Sequence, residues 1–193
     1  MRKLYERLPD GITVNGRRYR LALDFRNVLR MMDVLERDDL LPGAREYHAL
    51  RCVMKRPPRD CGPMLGAVMR MLFGGDRKPS GGDRITSFVQ DADMIRAAMW
   101  QEYGVNLYRD RLHWFEFVAL LQNLPSGNRY TDVLGIRSQE IPAANRYNAK
   151  EREALMRAKA ACALELTEEE KQAHYAQAVH QVFGSLERLA GGE

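Results

Sequence analysis

Residues 88–125 read FVQDADMIRAAMWQEYGVNLYRDRLHWFEFVALLQNLP and are the most apolar part of the chain. In the first half, apolar residues recur at the steps of three and four that one helix face requires: Phe88, Ala92, Ile95, Met99 and Tyr103. Gly104 can end this helix in the left-handed conformation. In residues 112–124 apolar side chains occur on every side, which is typical of a helix surrounded by protein. We therefore predict that this pair of helices forms the core of the fold.

The chain before this stretch begins with a predicted β-hairpin. Apolar and polar residues alternate in residues 12–23 around Asn15-Gly16, a dipeptide that adopts the positive φ angles of a tight turn. Asp24 is then a candidate N-cap for a first helix. The apolar face predicted for that helix consists of Phe25, Val28, Leu29, Met32 and Leu35.

Two further helices and a loop separate this part from the core pair. Pro42 is suited to the first turn of a helix over residues 42–54, and a third apolar segment covers residues 63–73. Residues 74–84 are polar and rich in glycine, with no apolar side chain to bury. They predict a flexible loop.

The C-terminal part is more polar. A short segment at 131–136 precedes two predicted long helices at 149–164 and 168–189, the second of which begins with a capping box. Apolar residues in the second helix follow heptad steps, which fit docking either on the body of the protein or on a partner. For the second alternative, the candidate partner-binding residues are Val179, Phe183 and Leu186. The predicted fold is mainly α. It comprises a compact helical domain at 1–145 with a small N-terminal β-hairpin, and a long C-terminal helical extension at 146–193.

Composition and charge restrict the class of protein. The chain has 193 residues, of which 45% are hydrophobic and 29% charged, as in folded globular proteins. The longest apolar run, residues 117–121, is far shorter than the roughly 20 residues that cross a bilayer. The N-terminus lacks the apolar stretch of a signal peptide. Cys52, Cys61 and Cys162 are an odd set without close pairs, which argues against a disulfide framework. We expect a soluble cytoplasmic protein with no membrane partner.

The charge is concentrated in the first third. Residues 1–60 carry 14 basic and 9 acidic side chains, whereas residues 61–193 carry 16 and 17. An arginine-rich segment can pair with phosphates or carboxylates, but a surplus of this size is more often a solvated surface. The helical pair around Gly104 superficially resembles a helix-turn-helix, yet its second helix is too apolar to contact base edges. Nucleic acid is therefore a disfavoured partner.

No residues form a recognisable catalytic or metal motif. His48 and Cys52 would share a helix face, and Cys61 follows, but a zinc site lacks its fourth ligand at a suitable distance. Asp91 and Asp93 precede an apolar helix, so an N-terminal capping role is predicted for them rather than acid–base chemistry. His113 is predicted to be buried and satisfied by one hydrogen bond, since no nucleophile accompanies it. We expect no enzymatic activity, no cofactor and no metal.

Three segments resemble a family of bacteriophage proteins. They are Asp91-Ala92-Asp93-Met94-Ile95, Tyr103-Gly104-Val105-Asn106-Leu107 and Leu112-His113-Trp114-Phe115-Glu116-Phe117-Val118-Ala119-Leu120-Leu121. They are similar to the acidic helix, the turn and the Leu-His-Trp helix of the "gene product fifteen" family of long-tailed phages. Asp24-Phe25-Arg26 is similar as well, and the resemblance covers roughly residues 4–165. Asn106 and Phe115 depart mildly from the family pattern, where an acid and a second tryptophan stand.

This resemblance implies a role in tail assembly. The family is encoded near the tape-measure gene, so the implied function is a tail assembly chaperone that binds the tape-measure protein and also, as a second partner, the tail-tube protein. The implied location is the host cell cytoplasm. Homo-oligomerisation is a further possibility. The alternatives are a structural tail or connector subunit retained in the virion and, less favoured, a basic nucleic-acid-binding regulator.

Overall fold

The computed structural model describes residues 5–74 and 84–165. Their elements are, in chain order, β1 (Gly11–Val14), β2 (Arg17–Arg20), α1 (Phe25–Leu35), α2 (Pro42–Val53), α3 (Cys61–Phe73), α4 (Ala92–Tyr103), α5 (Trp114–Gln122), α6 (Arg129–Ser138) and α7 (Ala149–Ala161). The fold is mainly α with one N-terminal hairpin, which confirms the predicted fold class. The helix predicted at 168–189 lies outside the described residues, as does most of the loop predicted at 74–84.

The chain divides into two compact units. The first contains residues 1–83 and 91–133, and the second contains residues 84–90 and 134–193. The boundary predicted between residues 145 and 146 stays a prediction.

The hairpin forms where the Asn15-Gly16 dipeptide predicts it. β1 and β2 are antiparallel with Val14 opposite Arg17, and φ is 50° at Asn15 and 72° at Gly16. Both turn residues therefore have the left-handed conformation that matches the twist of the strands. Gly11 is required for a different reason, because a Cβ atom there would lie 2.4 Å from the Tyr19 carbonyl oxygen.

α1 begins where the sequence predicts, but its buried face is rotated. The Asp24 carboxylate accepts a hydrogen bond from the Arg26 backbone N–H at 3.0 Å, which caps the helix. The buried side chains of α1 are Phe25, Val28 and Met31, whereas Leu29, Met32 and Leu35 are only half-buried. The reason is that α1 packs against both α2 and α5, so its buried face is centred between the two neighbours.

The core of the first unit draws on all five of its complete helices. Its fully buried side chains include Val28, Met31, Leu50, Val53, Val68, Met99 and Phe117. The predicted pair, α4 and α5, thus supplies part of the core. α5 is not surrounded by protein as the sequence suggested, because Trp114 and Phe117 are its buried residues while Leu120 and Leu121 are half-buried. Residues 112 and 113 precede the helix, with His113 extended, so α5 is short and packs through the face that bears Trp114 and Phe117.

The second unit is held by side chains that donate to main-chain carbonyl groups. Arg137 donates to the carbonyl oxygens of Cys162, at 2.6 Å, and Ile85, at 3.0 Å. Arg84 donates to the carbonyl oxygen of Glu165 at 2.9 Å. α7 buries none of its side chains. These bonds join residues 84–90 to the ends of α6 and α7.

Within residues 5–74 and 84–165, no helix is both long enough and apolar enough to cross a bilayer.

The rotated face of α1 predicts unequal costs for two adjacent truncations. Met31→Ala should lower the free energy of unfolding by about 2–5 kcal/mol, because it leaves a cavity at a fully buried position. Met32→Ala is the matched control and should cost no more than about 1 kcal/mol, since Met32 is half-buried. Urea denaturation followed by circular dichroism measures both, and equal costs would contradict the observed packing.

Candidate functional site

Two of the segments that carry the family resemblance, at Asp24 and at His113, meet at a bridge between two helix N-termini. Asp24 and His113, the N-cap residues of α1 and α5, pair as an antiparallel β-bridge. The Phe25 N–H donates to the Leu112 carbonyl at 3.0 Å, and the Trp114 N–H donates to the Leu23 carbonyl at 2.7 Å. We call this pairing the N-cap bridge. It brings together two segments that are nearly 90 residues apart in the sequence.

His113 acts in this bridge as a helix cap. Its Nδ1 accepts from the Phe115 backbone N–H at 3.2 Å, and its Nε2 lies 2.9 Å from the Pro9 carbonyl oxygen. These partners require the tautomer in which Nε2 carries the proton and donates it to Pro9. The Glu116 carboxylate accepts from the His113 N–H at 3.0 Å, which completes a capping box. The prediction of a buried histidine with one hydrogen bond was wrong, because the ring is half-buried and uses both nitrogens.

Aromatic rings pack beneath the N-cap bridge. Phe25 stacks on Phe117 with ring centroids 4.7 Å apart and an interplanar angle of 16°. Trp114 contacts Phe117 at 5.9 Å and meets Phe73 edge-on at 5.6 Å. The Trp114 indole N–H donates to the Leu72 carbonyl at 3.3 Å, so its polar atom is satisfied inside the core. The rings therefore join α1, α3 and α5.

Arg26 ties the turn between α4 and α5 to the N-terminus of α1. Its Nη2 donates to the carbonyl oxygens of Leu107 at 2.9 Å and Asp110 at 2.7 Å. Its guanidinium also lies 4.9 Å from the centroid of the Phe25 ring. The planar group and its several donors allow one side chain to hold two carbonyls and cover a ring.

The segment around Gly104 is also structural. Gly104 has φ 65° and ends α4 in the left-handed conformation, as predicted. The Tyr103 hydroxyl lies 3.1 Å from the Leu120 carbonyl oxygen and 2.7 Å from that of Asn123. It can thus donate to a carbonyl at the C-terminal end of α5, where the regular helical hydrogen bonds end. Tyr103 couples the last turns of α4 and α5.

Asp91 occupies the N-cap position of α4, but its side chain does not cap the helix. Its backbone carbonyl accepts from the Ile95 N–H at 2.9 Å, while no cap hydrogen bond reaches the carboxylate. The residue is buried, with 1% of its surface exposed. The predicted capping role is therefore wrong for the side chain. Ala92 is the first helical residue after it, and Ile95 is buried in the core.

The sulfur atoms considered for a zinc site bond to the backbone. The Cys52 and Cys61 thiols donate to the carbonyls of His48 and Pro58, at 3.5 and 3.2 Å. Burial raises the pKa of both thiols above the ordinary value, and Glu46 and Asp60 raise that of Cys61 further. Within residues 5–74 and 84–165, no three His, Cys, Asp or Glu residues are placed to hold a metal ion.

One exposed aromatic surface was missed by the sequence analysis. Trp100 on α4 is 58% exposed, and Tyr108 in the following turn is 72% exposed. The Arg96 guanidinium, one turn before Trp100, lies 4.7 Å from the centroid of the Tyr108 ring. We call Arg96, Trp100 and Tyr108 the α4 aromatic face. The sequence did contain a signal for this face, because Trp100 lies outside the apolar stripe predicted for α4 and is therefore expected to be exposed.

Val179, Phe183 and Leu186 were predicted to bind a partner. They lie outside the described residues, so this interpretation stays a prediction.

The fold and the N-cap bridge define a mainly helical protein whose distinctive motif side chains fasten the helices of its first unit to one another. A family model described as Bacteriophage Gp15 protein matches residues 4–164. The chain belongs to this family, which confirms the resemblance found in its motifs and shows a phage protein. No curated protein and no solved structure matches the chain.

The chain's two tryptophans should respond differently to truncation. Trp114→Ala should lower the free energy of unfolding by about 3–5 kcal/mol, because it removes a buried ring that contacts two others. Trp100→Ala should change it by no more than about 0.5 kcal/mol, since that ring faces solvent. Chemical denaturation measures both variants. A large cost at Trp100 would show that the α4 aromatic face is part of the scaffold.

Proposed function

We propose that the protein acts without catalysis in phage tail morphogenesis, as a tail assembly chaperone that binds the tape-measure protein in the host cell cytoplasm. Membership of the Bacteriophage Gp15 protein family over residues 4–164 supports the phage context. The tail-tube protein is a second proposed partner.

The use of the motif residues supports a binding protein over an enzyme. Both nitrogens of His113 are engaged with main-chain groups, and its neighbour Glu116 completes the same cap. A general base needs a nitrogen that is free to accept a substrate proton, together with a group to activate. The hydroxyl of Tyr103 is likewise within hydrogen-bond distance of two carbonyl oxygens. These side chains serve the scaffold.

The observation that carries the binding role is the exposed ring of Trp100. A tryptophan exposed to 58% on a helix of the compact unit leaves a large apolar area in water. Tryptophan, tyrosine and arginine are the residues that contribute most often to binding energy at protein interfaces, and all three occur on the α4 aromatic face. We therefore assign this face to partner contact.

The chemistry of the proposed partner fits such a face. A tape-measure protein is a long helical chain whose apolar stripes must stay covered until tail-tube subunits assemble around it. An amphipathic helix binds by placing its apolar side chains against an apolar surface of its partner. Trp100 and Tyr108 offer apolar rings with polar edges, which suit contact with successive turns of such a helix.

Co-expression with the tape-measure protein encoded nearby tests the proposal. Soluble tape-measure protein should co-purify with the unaltered chain. Trp100→Ala should reduce the captured amount by about tenfold, as for other central interface residues. Arg109→Ala is the matched control at an exposed position outside the α4 aromatic face and should leave capture unchanged.

An insoluble tape-measure protein, with this chain alone in the supernatant, would contradict the chaperone role. Mass spectrometry of purified virions then distinguishes the alternative, because a structural tail or connector subunit should be present in stoichiometric amounts and a chaperone absent.

The heptad-spaced residues near the C-terminus provide a separate prediction. Val179→Glu or Phe183→Glu should abolish the partner complex while the circular dichroism spectrum stays helical, because the charge would disrupt an apolar contact between chains. Leu186→Ala should weaken the complex to a smaller extent. Loss of helical signal in the charged variants would instead show that this segment is part of the folded body.

A further inference from the structure

A groove of about 750 Å³ lies beside β2 in the first unit. Residues 17–22 form one wall, and the other consists of residues 53–56, which begin with the last residue of α2. Its volume falls within the roughly 300–1,000 Å³ of ligand-binding sites. The Ala22 N–H donates to the Val53 carbonyl at 2.7 Å and closes one end of the groove. The groove does not include the N-cap bridge or the α4 aromatic face.

The groove exposes the outer edge of a strand. The Leu21 N–H donates to the Asp10 carbonyl, towards β1, whereas the Ala22 N–H points the opposite way to Val53. Because backbone groups alternate in direction along a strand, the N–H and C=O groups of Arg18 and Arg20 also point away from β1. Across the described residues, none of these four groups has a backbone partner beyond the strand. β2 can therefore accept a third strand.

The walls of the groove are strongly basic. Arg20, Lys55 and Arg56 are exposed, and their side chains make no salt bridge or hydrogen bond with any residue that the structure describes. Arg18 differs from these three because it pairs with Asp10 at 2.6 Å. Among the residues that the structure describes, no acidic side chain lines the groove. A smaller hollow that shares Ala22 is lined by Arg26, Arg30 and Arg111 together with Asp24.

We propose that this groove binds an extended acidic segment of a partner protein, which adds to β2 as a third strand and pairs its carboxylates with Arg20, Lys55 and Arg56. The main-chain bonds hold the segment, and alternate acidic side chains select it. This inference stands apart from the proposed function, since it rests on the strand edge and its charges and not on the α4 aromatic face.

A peptide fits the groove better than a nucleic acid does. The edge of β2 presents both donors and acceptors, at Arg18 and Arg20, and an extended peptide matches both kinds of group at strand spacing. A phosphate backbone offers acceptors alone, so the outward carbonyl groups of β2 would lose water without gaining a partner.

Binding of a defined probe tests the inference. The probe is a fluorescein-labelled peptide of alternating glutamate and threonine, titrated with the full chain and followed by fluorescence anisotropy. Arg20→Glu and Lys55→Glu, on opposite walls, should each weaken binding by roughly tenfold or more. Arg109→Glu is the control, with the same charge change at an exposed position away from the groove, and should weaken binding by less than about twofold. Arg20→Gln, which removes charge without reversing it, replaces Arg20→Glu if that variant loses its helical circular dichroism spectrum.

Three results would overturn the inference. Equal binding of a proline-interrupted peptide of the same charge would show attraction without strand addition, because proline cannot pair along a strand. Tighter binding of a single-stranded oligonucleotide of equal charge would identify a nucleic-acid site. Absence of peptide binding would leave the arginines as protection against strand pairing between copies. The expected result includes slower hydrogen exchange at the Arg18 and Arg20 amides in the complex. Since the tape-measure protein is not used, failure here is separate from failure of the proposed function.

Discussion

The N-cap bridge between Asp24 and His113 is the interaction on which the first unit depends. An N-cap residue leaves the helical conformation and becomes extended, with φ and ψ of −61° and 136° at Asp24 and −67° and 145° at His113. Two extended residues can pair as in a sheet, so the bridge forms without breaking a helical hydrogen bond. Each cap thus performs two tasks. It satisfies the first turn of its own helix and joins that helix to the other.

The aromatic packing follows from this bridge. The bridge fixes the starting points of α1 and α5 beside each other, and the first residue of each helix, Phe25 and Trp114, then enters the core. Phe117, which follows Trp114 by one turn of α5, stacks on Phe25. A helix docked only by its apolar face can rotate or slide at modest cost, whereas two main-chain hydrogen bonds at its N-terminus fix both movements. The bridge therefore gives the rings a defined contact.

Local chemistry made much of the fold predictable. Asn15-Gly16 determines the hairpin turn, Asp24 begins α1, Pro42 lies in the first turn of α2 and Gly104 ends α4, each through its own conformational preference. The same reasoning failed where the burial of a side chain depends on the helices packed against it. Periodicity could not choose between Met31 and Met32, because which one is buried depends on the position of α2 and α5.

The candidate site was predictable only in part for the same reason. The motif residues were identified from the resemblance, but the pairing of His113 with Asp24 joins distant segments and has no local signal. The groove at the edge of β2 could not be predicted from the sequence for a second reason. Sequence shows that Arg20 and Arg56 are basic, but only the fold places them on facing walls of one groove. From the sequence alone, the surplus of basic residues could therefore not be assigned to a binding site rather than to a solvated surface.

The hydrogen bonds that hold the first unit together limit which of its groups can bind a partner. Side chains whose polar atoms bond inside the protein, such as His113 and Arg26, cannot offer those atoms to another chain without losing a scaffold contact. Partner contact must then use groups that the scaffold leaves unused. The ring of Trp100 and the outer edge of β2 are groups of this kind, and they differ in chemistry. An aromatic surface gains free energy by leaving water and tolerates many apolar partners, whereas a strand edge between cations requires an extended and acidic one. The two surfaces therefore suit partner segments of different kinds.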